Sequence, residues 1–121
     1  KGCFLANFKP YRGNYRADGY PYTAPANSFN PNDFGLYNMA GNVAEWTQDA
    51  YAESYMMVTW DLNPVYDDRD EPRKVIKGGS WKDVAYFMET GTTTFEYKDK
   101  TRSYIGFRNV VDRLGAVPGR E

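Results

Sequence analysis

A single small domain, rich in loops and carrying short strands and only brief helices, is the fold class this sequence predicts. Three observations predict it. The chain has 121 residues, a length that suits one domain. Its 11 Gly and 7 Pro are spread so that nearly every segment is punctuated, which leaves little room for long regular elements. Leu, Ile, Val and Phe together make under a fifth of the chain, a share that points toward disorder in isolation. The formal net charge of only −1 and the 11 Tyr and 3 Trp point the other way. The expected core is therefore built from rings, whose OH and NH groups need partners when buried.

The elements follow in order. Residues 1–8 read as a short strand. Residues 9–33 are turn-rich, with Lys9-Pro10, Arg12-Gly13, Asp18-Gly19, Tyr20-Pro21 and Asn30-Pro31-Asn32-Asp33 all disfavouring helix and sheet. A loop of that length inside a compact domain is functional or pinned by something. Residues 42–47 read as extended. Residues 49–57 read as a short helix with Tyr51 and Tyr55 on one face. Asn63 to Arg73 is an acidic-basic surface loop. Residues 74–77 form a strand that ends at the Gly78-Gly79 turn, and residues 83–89 one helical turn. Residues 104–111 are a closing strand broken by Gly106, where a second backbone or a large ring is expected to approach closely. The tail after Leu114 holds Pro118 and Gly119 and reads as frayed. There is no internal repeat and no clear linker.

The absences in the sequence are informative. With no His in the chain, Ser-His-Asp and Cys-His catalysis and His-ligated zinc or copper are excluded. The one cysteine, Cys3, has no partner for an internal disulfide and reads as a packed thiol rather than a reactive one. No apolar run approaches the roughly 20 residues of a membrane-spanning helix. No signal-peptide pattern is present. The chain opens inside what reads as an element, and the expectation is that it belongs to a longer polypeptide.

Two sets of residues offer oxygen donors of the kind calcium takes, carboxylates, amides and backbone carbonyls alike. The first is Asn38, Gly41, Val43 and Glu45: an amide oxygen, a carboxylate, and two carbonyls from alternate residues of a turning segment. The second is Asn7, Phe8, Asp18 and Tyr20, which would tie the start of the irregular loop to its own middle. On residue types alone the preferred reading of both sets is as turn formers, with Asn7 and Asp18 bonding their own backbones and Glu45 a surface residue; calcium gains the preference only from the resemblance that follows.

The stretch Asn32-Asp33-Phe34-Gly35-Leu36-Tyr37-Asn38-Met39-Ala40-Gly41-Asn42-Val43-Ala44-Glu45-Trp46 resembles the signature of the formylglycine-generating, or sulfatase-modifying-factor, family. Asn7-Phe8 to Asp18-Gly19-Tyr20 before it, and Lys77-Gly78-Gly79-Ser80-Trp81 and Gly106-Phe107-Arg108 after it, fit in the same order. The resemblance covers the C-terminal half of the family domain, residues 1–121, with 113–121 as a tail. It implies an α+β, C-type-lectin-like fold, and calcium at both sets of four residues, one or two ions in all. In the family's enzymes two cysteines five apart follow the Gly-Gly-Ser turn, bind copper(I) and oxidise a sulfatase cysteine to formylglycine. Those positions fall on Asp83 and Met88, and no cysteine lies downstream. The expectation is a pseudoenzyme without copper. Ala44 also stands where the family commonly has an aromatic residue. Trp81 and Phe107 are expected to fill the core, and Arg108 to pair with a carboxylate.

Further blocks are similar to the cysteine-less branch found in gliding-motility and type IX secretion lipoproteins of the Bacteroidetes. They are Tyr55-Met56-Met57, Trp60-Asp61-Leu62-Asn63-Pro64, Gly79 to Val84, Thr90-Gly91-Thr92 and Ser103 to Val110. That resemblance implies a calcium-stabilised, non-catalytic ring subunit of the secretion machinery. It would work with a partner protein and no nucleic acid, on the periplasmic side of the outer membrane, through a lipid anchor outside this sequence. The competing expectations are a formylglycine-generating-type oxidase and a lectin-like carbohydrate- or peptide-binding module.

Overall fold

The structure is a computed structural model that describes residues 5–10, 19–53 and 65–111. Its framework is one four-stranded sheet of mixed direction. Strand β1 is Ala44–Ala50, β2 is Arg73–Lys77, β3 is Thr94–Tyr97 and β4 is Ile105–Gly106. The spatial order is β3-β2-β1-β4. Strands β1 and β2 run antiparallel with Glu45 opposite Lys77 and Trp46 opposite Ile76. Strands β2 and β3 are also antiparallel, with Val75 opposite Phe95. Strand β4 lies parallel to β1, Ala44 opposite Ile105. A four-residue 3-10 helix, Ala85–Met88, is the helical element among the described residues. The loop-rich, strand-dominated α+β character is as the sequence predicts.

Several elements differ from expectation. Residues 49 and 50 belong to β1 and not to a helix; 54–57 lie outside the described residues. The cause is local. The register between β1 and β2 shifts between Trp46 and Ala50, and Thr47 fills the irregularity, its hydroxyl donating to the Val75 carbonyl at 3.0 Å. Residue 66 then straps the end of β1: its N–H reaches Asp49 Oδ1 at 2.8 Å, and its carbonyl receives the Ala50 N–H at 2.9 Å. The Ala50 N–H thus bonds to residue 66 and the Tyr51 N–H to the Arg73 carbonyl, contacts that hold this part of the chain extended against its neighbours. Residues 5–8 are not a strand either. Asn7 is held instead by its carbonyl, which accepts the Asn42 N–H at 2.8 Å. The closing strand shrinks to Ile105–Gly106. At Gly106 a Cβ would stand 3.1 Å from Val43 Cγ2, so the group that comes close is a valine side chain and not the backbone or ring expected.

The core is not the ring-built one expected. Among the described residues its buried apolar side chains are Ala24, Ala44, Ala50, Val75 and Ile76. The rings lie at its margin. Phe107, expected inside, is 77% exposed, because strand β4 ends at Gly106 and the ring leaves the sheet one residue beyond it. Trp81 is half-buried and meets Tyr22 edge to face at 5.2 Å. A second row, Tyr51, Phe95 and Tyr97, runs along β3, with the Arg73 guanidinium 5.0 Å from the Tyr51 ring and 5.2 Å from that of Phe95.

What takes the place of a large core is a buried polar node. Asn42 adopts φ 68°, a left-handed conformation that Asn tolerates better than most residues. Its side chain mimics a strand neighbour for Ala24: Oδ1 accepts the Ala24 N–H at 2.8 Å and Nδ2 donates to the Ala24 carbonyl at 3.1 Å. Its carbonyl accepts the Trp81 N–H at 2.8 Å. Asn7, 1% exposed, donates through Nδ2 to the Tyr22 carbonyl at 2.6 Å. Gly41 precedes the node at φ 79°, with its N–H on the Gly78 carbonyl at 2.8 Å. A Cβ there would stand 2.6 Å from the Asn7 carbonyl oxygen.

Two expectations follow. Asn42→Ala strands the Ala24 N–H and carbonyl in a buried place, at roughly 1–3 kcal/mol for each group, so urea titration should show a loss of at least about 2 kcal/mol, with Gly41→Ala no milder. Glu96 on β3 is held below its ordinary pKa, first by the Tyr97 N–H and then by the Arg102 guanidinium. Its contribution is present above the unfolded carboxylate pKa and lost as pH falls through the lowered folded value. Glu96→Gln should therefore flatten the acid limb of the stability–pH curve and leave its slope above pH ~6 unchanged.

Candidate functional site

The Asn38 turn and the start of β1 place the first oxygen set. Asn38 sits at φ 52° and is pinned by its own side chain, whose Nδ2 donates to the Ala26 carbonyl at 2.7 Å. That orientation leaves Oδ1 as an acceptor without a donor among the described residues. Asn38, Val43 and Glu45 line one cavity of about 400 Å³, together with Tyr37, Phe107 and Arg108. Gly41 is not part of that lining; it lies behind the cavity, packed against Asn7. The sequence thus anticipates three of four residues that the fold brings to one cavity.

Arg108 was anticipated as a paired residue, and its partner is Glu45. Nε donates to Glu45 Oε2 at 2.8 Å and Nη2 to Oε1 at 2.7 Å, a two-pronged pair. Nη2 also donates to the carbonyls of Tyr37 at 2.8 Å and Asn38 at 3.3 Å. The side chains are 29% and 21% exposed, so the pair is partly withdrawn from water. The Glu45 hydrogen bond raises the Arg108 pKa against the opposing effect of burial. The guanidinium is a permanent cation at this site.

In the second set, Asp18 lies outside the described residues. Asn7 and Tyr20 belong to the segments that the buried node joins, and Asn7 spends its amide N–H on Tyr22. Among the described residues no group of three or more His, Cys, Asp or Glu gathers. Either calcium set needs fewer, since carbonyls and amides carry most of the donors.

The two positions expected of a copper pair have other work. Asp83 Oδ2 accepts the Ser80 N–H at 3.0 Å and the Ser80 hydroxyl at 2.7 Å, and Ser80 is fully buried. The Asp83 carbonyl accepts the Lys9 N–H at 2.8 Å, joining the start of the long loop to this turn. Met88 packs on the turn's second glycine: a Cβ at Gly79 would stand 2.9 Å from Met88 Cγ. Lys77 completes the structure, its Nζ donating to the carbonyls of Thr90 and Thr92 and the hydroxyl of Thr93 at 2.9–3.0 Å.

The family description of a sulfatase-modifying factor enzyme 1-like domain matches residues 2–113. The chain belongs to that family. It is 36% identical to the mouse formylglycine-generating enzyme over 104 residues, which cover 84% of this chain and 27% of the enzyme. It is 35% identical over 114 residues to the bovine inactive C-alpha-formylglycine-generating enzyme 2, covering 89% and 33%. The structure of PvdO from Pseudomonas aeruginosa superposes with a TM-score of 0.74 at 31% identity, over 84% of this chain and 37% of that one. The chain therefore spans about a third of these proteins. Family members include both active and inactive relatives of the formylglycine-generating enzymes.

The Glu45–Arg108 pair should register as a true coupling. A double-mutant cycle with Glu45→Ala and Arg108→Ala, read by chemical denaturation, should give an interaction energy of about 1–3 kcal/mol. A value near zero would show that the contact is incidental.

Proposed function

We propose that this chain is a non-catalytic structural module, cross-linked by calcium, that serves inside a larger protein assembly. The observation that carries the reading is Asp83. Where a family enzyme uses a thiolate, this chain has a carboxylate committed to Ser80 and a backbone carbonyl committed to Lys9. Neither it nor Met88 is a redox ligand for copper(I), which prefers thiolates. The inactive bovine relative supports the idea that the domain persists without the oxidase.

Asn38, Gly41, Val43 and Glu45 would hold one calcium ion, and Asn7, Phe8, Asp18 and Tyr20 a second. The free Asn38 Oδ1 and the Glu45 carboxylate on one cavity fit a hard cation. Bound calcium supplies a link between the Asn38 turn and β1, in a region where little apolar surface is buried. The finer reading is a ring-forming lipoprotein subunit of the type IX secretion and gliding machinery, on the periplasmic side of the outer membrane beside a protein partner. Its support is the set of sequence blocks from Tyr55-Met56-Met57 to Ser103–Val110.

Three measurements test the reading. With the full protein, calcium at 100 times its dissociation constant should stabilise the fold by about 2.7 kcal/mol, and an Asn38→Ala, Glu45→Ala double variant should lose that response. Copper(I) with a cysteine-containing peptide should give no oxygen uptake above the protein-free rate; turnover would restore the enzyme reading. Affinity isolation from outer membranes should recover a secretion-ring component, and its absence would remove the finer assignment. Asp83→Ala should cost roughly 0.5–2 kcal/mol, as loss of a side-chain cap does.

A further inference from the structure

We propose that Arg108 is the built-in competitor of the metal at this site and sets its affinity; the inference rests on the calcium reading above. The geometry is specific. One guanidinium satisfies four oxygens, both carboxylate oxygens of Glu45 and the carbonyls of Tyr37 and Asn38, at 2.7–3.3 Å. Two of those residues, Asn38 and Glu45, also supply the oxygens offered to calcium, and all three groups border the same cavity. The guanidinium holds the only carboxylate of the set, so the formal charge facing an entering ion is zero rather than −1.

A divalent ion reaching Glu45 therefore meets a cation at hydrogen-bond distance from the carboxylate. In such a partly buried setting one unit charge a few ångströms away changes affinity by tenfold or more. The ion and the guanidinium draw on the same Glu45 carboxylate in opposition, while Asn38 turns its carbonyl to Arg108 and its Oδ1 to the ion; linkage makes the opposition reciprocal: whatever Arg108 does to calcium, calcium does to Arg108. A surface salt bridge of ordinary kind has no such effect. Arg108 is a positioning residue for the Asn38 turn and a brake on the ion. Its fork matters as well as its charge, because a lysine cannot reach carboxylate and carbonyls together.

The test is calorimetric titration of calcium chloride into wild type, Arg108→Gln, Arg108→Lys and Glu45→Gln proteins after chelator treatment. Expected is a tenfold or greater tightening in Arg108→Gln, little tightening in Arg108→Lys, and loss in Glu45→Gln. Binding by wild type with Arg108→Gln equal or weaker overturns the proposal and leaves the calcium reading standing. Binding by none of the four, with native circular dichroism, overturns the calcium reading itself. If Arg108→Gln does not fold, the wild-type protein still decides: nuclear magnetic resonance should show the Arg108 Nε–H exchanging faster with water on calcium saturation. An Nε–H left unchanged by bound calcium would overturn the competition.

Discussion

The fold depends on Asn42. One residue in a left-handed turn gives its backbone N–H to Asn7, its carbonyl to Trp81 and both ends of its amide to Ala24. Three segments remote in sequence thus meet at a single peptide and its side chain. With so few buried aliphatic side chains among the described residues, little non-directional attraction holds these loops. Directional bonds in a dry place take over that role, and they are unforgiving, because each is costly only when left unmade. Gly41 exists to let the Asn7 carbonyl come close, and the Gly78 carbonyl fixes the approach from the other side.

From that node the sheet and the cavity follow. Asn42 hands the chain directly into β1, so the position of Glu45 is set three residues from the most constrained point in the molecule. Strand β4 then arrives parallel to β1 and presents Arg108 to the same carboxylate. The turn at 78–83 is fixed to the node through Trp81 and to the long loop through Lys9. Asp83, at a position where the family resemblance leads one to expect a thiol, thereby ties the turn together.

The sequence was most readable where punctuation and signature coincide. The β2 strand ending at Gly78-Gly79 and the helical turn near Ala85 were legible from breakers and β-branched runs. So was the pairing of Arg108, though not its partner, because Glu45 lies 63 positions away and no local pattern reports it. Strand β3 was not anticipated: residues 92–97 are rich in β-branched and aromatic types, but three threonines in a row leave alternation only at Phe95-Glu96-Tyr97. The helix expected over 49–57 failed at its start, where residues 49 and 50 belong to β1, because the strap from Tyr66 that decides the matter is a tertiary contact. The ring-built core failed for a related reason: aromatic content says that rings meet one another, not which side of the sheet they meet on. For the site, three oxygen-bearing residues on one cavity were foreseen, whereas the packing of Gly41 behind it was not.

The parallel pairing of β4 with β1 has a consequence for how this protein comes into being. Glu45 emerges 63 residues before the arginine that pairs with it, and the node's contacts with residue 81 are also long in waiting. Contacts this distant along the chain are slow to form, because loop closure must precede any reward. A ribosome-bound chain cannot close this sheet before the segment around Arg108 has emerged, so the Glu45 cavity is completed only when nearly the last of the segments described here has been made.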